Sequence, residues 1–321
     1  MSYNYDSVRA RIKNQSQKTG IKPETLYTRY FLERFIFRIA KTEHKDSVIL
    51  KGGMLISAMA GVGKRATRDL DATVIGKALT PADFERIARD VAAVELDDNV
   101  KFQFVRMSEI MLDNHYPCYR FHLRATLGKM DKNLEIDMTS GDVLTPSEIK
   151  VGFPSLFGGE ESPVLAYNIE TILAEKINAI LSWGETSTRP KDFYDIYLFS
   201  NAFDDRIDKA VLEKAVRNTL ASRNLSHLLD EAQDKTFDIL NSTDILEHWR
   251  KYQNEYAYAK DIPFGQVLTA WQKILGYAGI DVSLQEPIAD QIARGQKLAD
   301  AHNANLGTDG RGATANDEPD L

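Results

Sequence analysis

Residues 50–55 read Leu50-Lys51-Gly52-Gly53-Met54-Leu55, and residues 65–74 read Arg65-Ala66-Thr67-Arg68-Asp69-Leu70-Asp71-Ala72-Thr73-Val74. The second run alternates acid or hydroxyl with apolar side chains. In a strand alternate side chains share a face, so Asp69, Asp71 and Thr73 point one way and Leu70, Ala72 and Val74 the other. Two carboxylates on one face, with an apolar face buried behind them, make a rigid place for a hard cation such as Mg2+. The glycine pair lets backbone approach a phosphate closely, and the helix it opens offers free N–H groups to that anion. Asp69 and Asp71 are therefore candidate metal ligands, with Gly52 and Gly53 as candidate nucleotide-binding positions beside them.

Working outward, residues 5–18 read as a helix. Pro23 fits the first turn of a second, which runs to about Lys41 with Leu26, Tyr30, Phe31, Phe35 and Ile39 at near-helical spacing. Val48-Ile49-Leu50 is a short buried segment, and the stretch from Ile56 to Thr67, with Gly61 and Gly63, is a helix end and loop. Thr80 and Pro81 form a capped helix start. Lys101–Met107, Tyr116–Thr126 and Leu134–Thr139 alternate as strands, the last two joined in a hairpin through the turn at Gly128–Lys132. After Pro154 the pattern turns helical, with a strongly amphipathic run from Asn168 to about residue 182 and another opening at Pro190. Residues 301–321 are rich in Asn, Asp, Gly and Ala and predict a disordered tail. The fold class is α+β: an N-terminal helical segment over 1–45, a mixed sheet with flanking helices over 46–160, and a helical C-terminal domain over 161–300.

A third acid comes from Leu134-Glu135-Ile136-Asp137-Met138, where Glu135 and Asp137 share the face opposite the apolar residues. Asp137 is preferred because the loop Thr139-Ser140-Gly141-Asp142 follows it and would end the strand at an open edge. Three carboxylates suit a two-metal site, in which one ion activates an attacking hydroxyl and the other braces a leaving pyrophosphate. Lys51, Lys64, Arg65 and Arg68 flank these acids as candidate phosphate partners, although Lys64 reads more simply as a solvent-exposed loop residue. Lys176 lies in an otherwise apolar-periodic helix, where it either snorkels to solvent or reaches a triphosphate across an interdomain cleft. In Arg189-Pro190-Lys191-Asp192-Phe193-Tyr194-Asp195, the two acids lie one turn apart on one helix face.

The composition is that of an ordinary globular chain, 43% hydrophobic and 27% charged, with a net charge of −7 that argues against indiscriminate nucleic-acid binding. Residues 1–45 depart from that average, with ten Lys/Arg against four Asp/Glu: either a patch that meets RNA phosphates or a solvated helix face. The single cysteine, Cys118, excludes an intramolecular disulfide and reads as a buried inert thiol. No apolar run approaches the length of a membrane span and no signal peptide is visible, which points to a cytoplasmic protein with no membrane partner.

Lys-Gly-Gly-x-x-Leu, Arg-x-Thr-x-Asp-x-Asp, a strand acid, a helical Glu-Lys and Arg-x-Lys-Asp-x-x-Asp, in that order over roughly residues 25–200, resemble the AbiEii/AbiGii toxin family of nucleotidyltransferases. The resemblance implies a DNA polymerase β-like nucleotidyltransferase fold. It also implies a toxin of a bacterial abortive-infection toxin–antitoxin system, with a cognate antitoxin as partner. Carried over, Gly52, Gly53, Asp69 and Asp71 are the nucleotide and metal motif, and Lys176 is a nucleotide-contacting lysine. Asp192 is the acid of the last motif, with Asp195 in reserve. Met54 departs from the pattern, since the family often has a small hydroxyl residue there.

The expectation is thus an Mg2+-dependent enzyme that moves a nucleoside monophosphate from an NTP to an RNA acceptor, with a tRNA 3′ end as candidate, causing growth arrest and phage defence. Asp69, Asp71 and Asp137 would hold metal, with Asp137 also helping to activate the acceptor hydroxyl. Lys51, Arg65 and Lys176 would bind nucleotide, and Asp192 would act as a base or orienting group. Transfer to a protein or small molecule, or a non-catalytic nucleotide-binding module, are the alternatives.

Overall fold

Gly52 and Asp71 are positioned by a seven-stranded mixed sheet, seen in a computed structural model that describes residues 4–76, 79–112 and 116–282. The strands are β1 (Val48–Lys51), β2 (Leu70–Val74), β3 (Lys101–Leu112), β4 (Tyr116–Leu127), β5 (Met130–Ser140), β6 (Ile149–Pro154) and β7 (Glu161–Ala166). Their order is β3-β4-β5-β2-β1-β7-β6, with β2–β5 and β1–β7 parallel and the other neighbours antiparallel. The buried face follows the alternation in the sequence: Leu70, Ala72 and Val74 of β2, Phe121, Leu123 and Ala125 of β4, and Leu134, Ile136 and Met138 of β5 are all in the core.

The helices are α1 (Tyr5–Thr19), α2 (Pro23–Ile39), α3 (Gly52–Ala60), α4 (Pro81–Ala93), α5 (Ile169–Trp183), α6 (Pro190–Ala202), α7 (Lys209–Ser222), α8 (Ala232–Asn241), α9 (Thr243–Glu255) and α10 (Phe264–Tyr277). The capped start expected at Thr80 and Pro81 forms. Thr80 and Asp83 form a reciprocal capping box with Pro81 in the first turn of α4, and the Asn168 side chain accepts from the Thr171 N–H at the start of α5. α5 packs on α6 and α7, and α6 packs on α9 and α10, where Phe193 and Trp271 meet edge-on.

Two readings of the sequence change. The chain after Pro154 does not turn directly helical: β7 lies at Glu161–Ala166 and pairs in parallel with β1, while β6, unread from the sequence, edges the sheet. Gly152, Pro154, Gly158, Gly159 and Pro163 interrupt the alternation that would have marked this hairpin, and Gly158 and Gly159 turn it with φ of 72° and 76°.

The basic N-terminus is also less of a patch than its composition suggests. α2 is buried along the whole of Arg29–Ile39, and Arg29, Arg34 and Arg38 lie inside. Arg38 makes a two-pronged pair with Asp98 at 2.8 Å on both arms, and Arg34 meets Glu33 at 2.7 Å. Glu33 also accepts from Ser155 Oγ and the Leu156 N–H, tying α2 to the segment after β6. Buried charges persist only when paired in this way. The predicted tail at 301–321, and the helical run expected beyond residue 282, lie outside the described residues.

Candidate active site

Strand register assembles the acids. Asp71 of β2 lies directly opposite Lys51 of β1 on one side and Asp137 of β5 on the other, and Asp137 lies opposite Arg120 of β4, which faces Ser108 of β3. A single polar row, Lys51–Asp71–Asp137–Arg120–Ser108, therefore crosses five strands on the face opposite the core. Asp69 stands two residues before Asp71 and exposed, at the mouth of the row. Among the described residues the Asp69 and Asp71 carboxylates make no hydrogen bond or ion pair. Burial raises the Asp71 pKa, Lys51 opposes that rise, and the neighbouring Asp137 and Asp69 add to it.

Gly52 begins α3 with φ of 65°, and a Cβ there would come within 2.1 Å of Asp71 Oδ2. Only glycine allows the helix to start this close to the carboxylate. A Cβ on Gly53 would meet Thr67 Oγ1 at 2.7 Å and approach Arg65 Nη2 at 3.6 Å. The first turn of α3 carries no side-chain cap, so its N–H groups are left without a side-chain acceptor. Met54 is wholly buried, so the position that departs from the family pattern points into the core.

The flanking cations are committed within the fold. Lys51 Nζ donates to Thr139 Oγ1 at 2.7 Å and to Asp142 Oδ2 at 2.5 Å, and the same Oδ2 accepts from Tyr167 OH at 2.7 Å. Burial alone would raise the Asp142 pKa, but the Lys51 ammonium and these hydrogen bonds outweigh it and bring the carboxyl down to about 2. Arg65 is buried and donates Nε to Asp195 Oδ1 at 2.6 Å. Lys176, 12% exposed, neither snorkels nor stands free: it lies 2.6 Å from Asp192 Oδ1 and 2.9 Å from Asp195 Oδ2. Arg189 lies 2.9 Å from Asp192 on the outer side. The resulting chain Arg65–Asp195–Lys176–Asp192–Arg189 runs from the glycine pair across to α6. Burial opposes ionisation of Asp195, yet Arg65 and Lys176 hold its pKa below the ordinary range.

Three residues that belong to this constellation were not singled out in the sequence. Arg120 donates Nε and Nη2 to the two oxygens of Asp137, each at 2.8 Å. Lys191, in the first turn of α6, bears on Asp71 electrostatically and has no partner among the described residues. Asp142 neutralises Lys51. The signal for Arg120 was its place in alternation with Phe121 and Leu123, which puts it on the acid face; its register with Asp137 needs the hairpin. Cys118 is buried, and its pKa is pushed up to about 12, first by burial and then by Asp137, so the thiol stays protonated.

A separate group, Glu43, His44 and Asp90, brings three ligand atoms within 4.8 Å of one another. It lies by Val48, at the end of β1 remote from Lys51, and takes no part in the acid row. It is the group of three or more such side chains found this close among the described residues, so Asp69, Asp71 and Asp137 share a face without already converging on a point.

Adjacent carboxylates beside a glycine-opened helix, on a mixed sheet backed by a helical half, are the marks of a nucleotidyl transferase. The profile of the nucleotidyl transferase AbiEii toxin family, described as belonging to a type IV toxin–antitoxin system, matches residues 34–275, and the chain belongs to that family. Two crystal structures, each with 13% identity and a TM-score of 0.46, are similar to it: JHP933 from Helicobacter pylori, covering 89% of this chain and 99% of its own, and a candidate nucleotidyltransferase from H. pylori, covering 81% and 98%. No curated protein matches the chain. The family implies a cognate antitoxin and a nucleotide substrate. No helix among the described residues is long and apolar enough to cross a membrane.

Proposed function

We propose that the chain transfers a nucleoside monophosphate from an NTP to an RNA hydroxyl, with a tRNA 3′ end as the leading acceptor, and that Asp69, Asp71 and Asp137 hold Mg2+ for that reaction. The observation that carries this reading is the direct register of Asp71 with Asp137 beside the uncapped start of α3. The donor set fits a hard cation: Asp71 is half-buried among like charges, its pKa raised, and its oxygens and those of Asp69 have no hydrogen-bond or ion-pair partner among the described residues. A divalent cation bound there supplies charge neutralisation at the phosphates and favours ionisation of the acceptor hydroxyl.

The protein's own groups do the rest. The α3 backbone at Gly52 and Gly53 receives phosphate oxygens, with Thr67 Oγ1 as the nearest hydroxyl in place of the one Met54 lacks. Lys191 and Lys176 offer positive charge from the helical half, while Lys51 and Arg65 act mainly by holding Asp142 and Asp195 in place. Asp137 accepts the proton of the acceptor hydroxyl. The hydroxyl oxygen bonds to the α-phosphorus, the bond from that phosphorus to the bridging oxygen breaks, and pyrophosphate leaves. Asp192, closer to the surface through Arg189, orients Lys176. In cells the product would be a blocked RNA, giving growth arrest and phage defence.

The test is incubation of the purified protein with α-labelled NTPs, Mg2+ and total RNA. RNase-sensitive label that disappears in Asp69→Ala supports the reading. Label removed by protease and not by RNase would assign a protein acceptor, and label in neither macromolecule a small one.

A further inference from the structure

Of the three candidate metal-binding acids, Asp69 and Asp71 have no side-chain partner among the described residues, while both oxygens of Asp137 are held by Arg120. Arg120 takes both Asp137 oxygens in a fork of two 2.8 Å bonds, and its remaining nitrogen, Nη1, lies 3.1 Å from Glu135 Oε2. The two acids differ in setting: the Asp137 side chain is 18% exposed and the Glu135 side chain 54%. A forked guanidinium–carboxylate pair is among the stronger protein ion pairs; it takes one lone pair on each oxygen and sets a positive charge on the side from which a cation would be chelated.

A purely structural clamp is poorly motivated here. β4 and β5 are already in unbroken antiparallel register from Cys118↔Thr139 to Leu127↔Met130, and Arg124 with Asp131 provides a second cross-strand pair further along. Arg120 instead sits next to the carboxylate that neighbours Asp71, with a second acid within reach to receive it.

We propose that Arg120 is a positioning residue that holds the third carboxylate back: it occupies Asp137 in the nucleotide-free protein, and Asp137 becomes a cation ligand and proton acceptor only when the guanidinium moves onto Glu135. This rests on the metal-site reading above. The guanidinium needs no large displacement, because Glu135 is two residues from Asp137 on the same strand face and is already in contact. Three carboxylates close to one open site repel one another, and the Arg120 fork offsets one of them until substrate phosphates and cation arrive together.

The experiment is titration of the nucleotide-free protein with Mn2+, read by the electron paramagnetic resonance signal of the free ion, in wild type, R120K, R120Q, D137N and D71N, each first shown to keep a cooperative thermal transition. R120K keeps the charge and loses the fork. The inference expects both Arg120 variants to bind Mn2+ about tenfold more tightly than wild type, and expects adding D137N to R120K to abolish that gain. Wild-type affinity in R120K with a gain only in R120Q would mean that Arg120 acts by charge alone, and would overturn the inference. So would a gain that survives D137N. Wild-type affinity in D71N would overturn the underlying metal-site reading itself, a result distinct from either of these.

Discussion

Asp71 is the residue at which stability and function are set against each other. Its carboxyl pKa is raised in the fold, first by burial and then by Asp137 and Asp69, against the opposing Lys51. The folded state therefore resists its ionisation, and above the ordinary carboxylate range it destabilises the protein. Asp71→Asn is expected to raise the melting temperature measured in chelator, by a gain of about 1 kcal/mol, while abolishing nucleotidyl transfer. Gly52 is constrained from two sides, by its positive φ and by the 2.1 Å approach of a Cβ to Asp71 Oδ2. Gly52→Ala is expected to cost about 1–2 kcal/mol in a denaturant melt and at least about tenfold in turnover. Gly53→Ala, which presses only on the movable Thr67 side chain, should cost less on both measures.

At the scale of elements, α6 presents two acids one turn apart that do different work. Both are buried, but Asp195 lies between two buried cations, Arg65 and Lys176, whereas Asp192 shares Lys176 and otherwise meets the exposed Arg189. Removing one partner from a buried network leaves uncompensated charge. Asp195→Asn should thus lower stability by about 3 kcal/mol, while Asp192→Asn should lower turnover with a smaller loss in a thermal melt. Equal destabilisation by both would contradict this division. The alternation of β2, β4 and β5 and the cap at Thr80 were legible because each is written in a few neighbouring residues. The β6–β7 hairpin was not, because its glycines and prolines erase the alternation. Nor were the internal partners of Lys51, Arg65 and Lys176, since Asp142 and Asp195 reach them only through folding of distant segments. The burial of Arg38 was hidden for the same reason, since Asp98 comes beside it only through folding.

At the scale of the molecule, two buried ion pairs fasten the site to its surroundings. Arg65, in the loop after α3, reaches Asp195 on α6 in the helical half, and Lys51 at the end of β1 reaches Asp142 and, through it, Tyr167 beyond β7. With a pKa brought down to about 2, Asp142 contributes stability that is present above pH about 4 and lost as pH falls toward 2; Asp195, also lowered, acts in the same direction. Acid unfolding followed by circular dichroism should therefore be shallower for Asp142→Asn than for wild type, from a starting stability lower by about 3 kcal/mol.

The central claim is that α-phosphoryl chemistry occurs at the Asp69–Asp71–Asp137 face. It is tested most directly by a single-turnover reaction with Mg2+ and total RNA, run in parallel with α-labelled and γ-labelled NTP, for wild type and Asp71→Asn. The account expects α-label on RNA, γ-label only in released pyrophosphate, and neither product from Asp71→Asn. Transfer of the γ-label, or full α-labelling by Asp71→Asn, would contradict it.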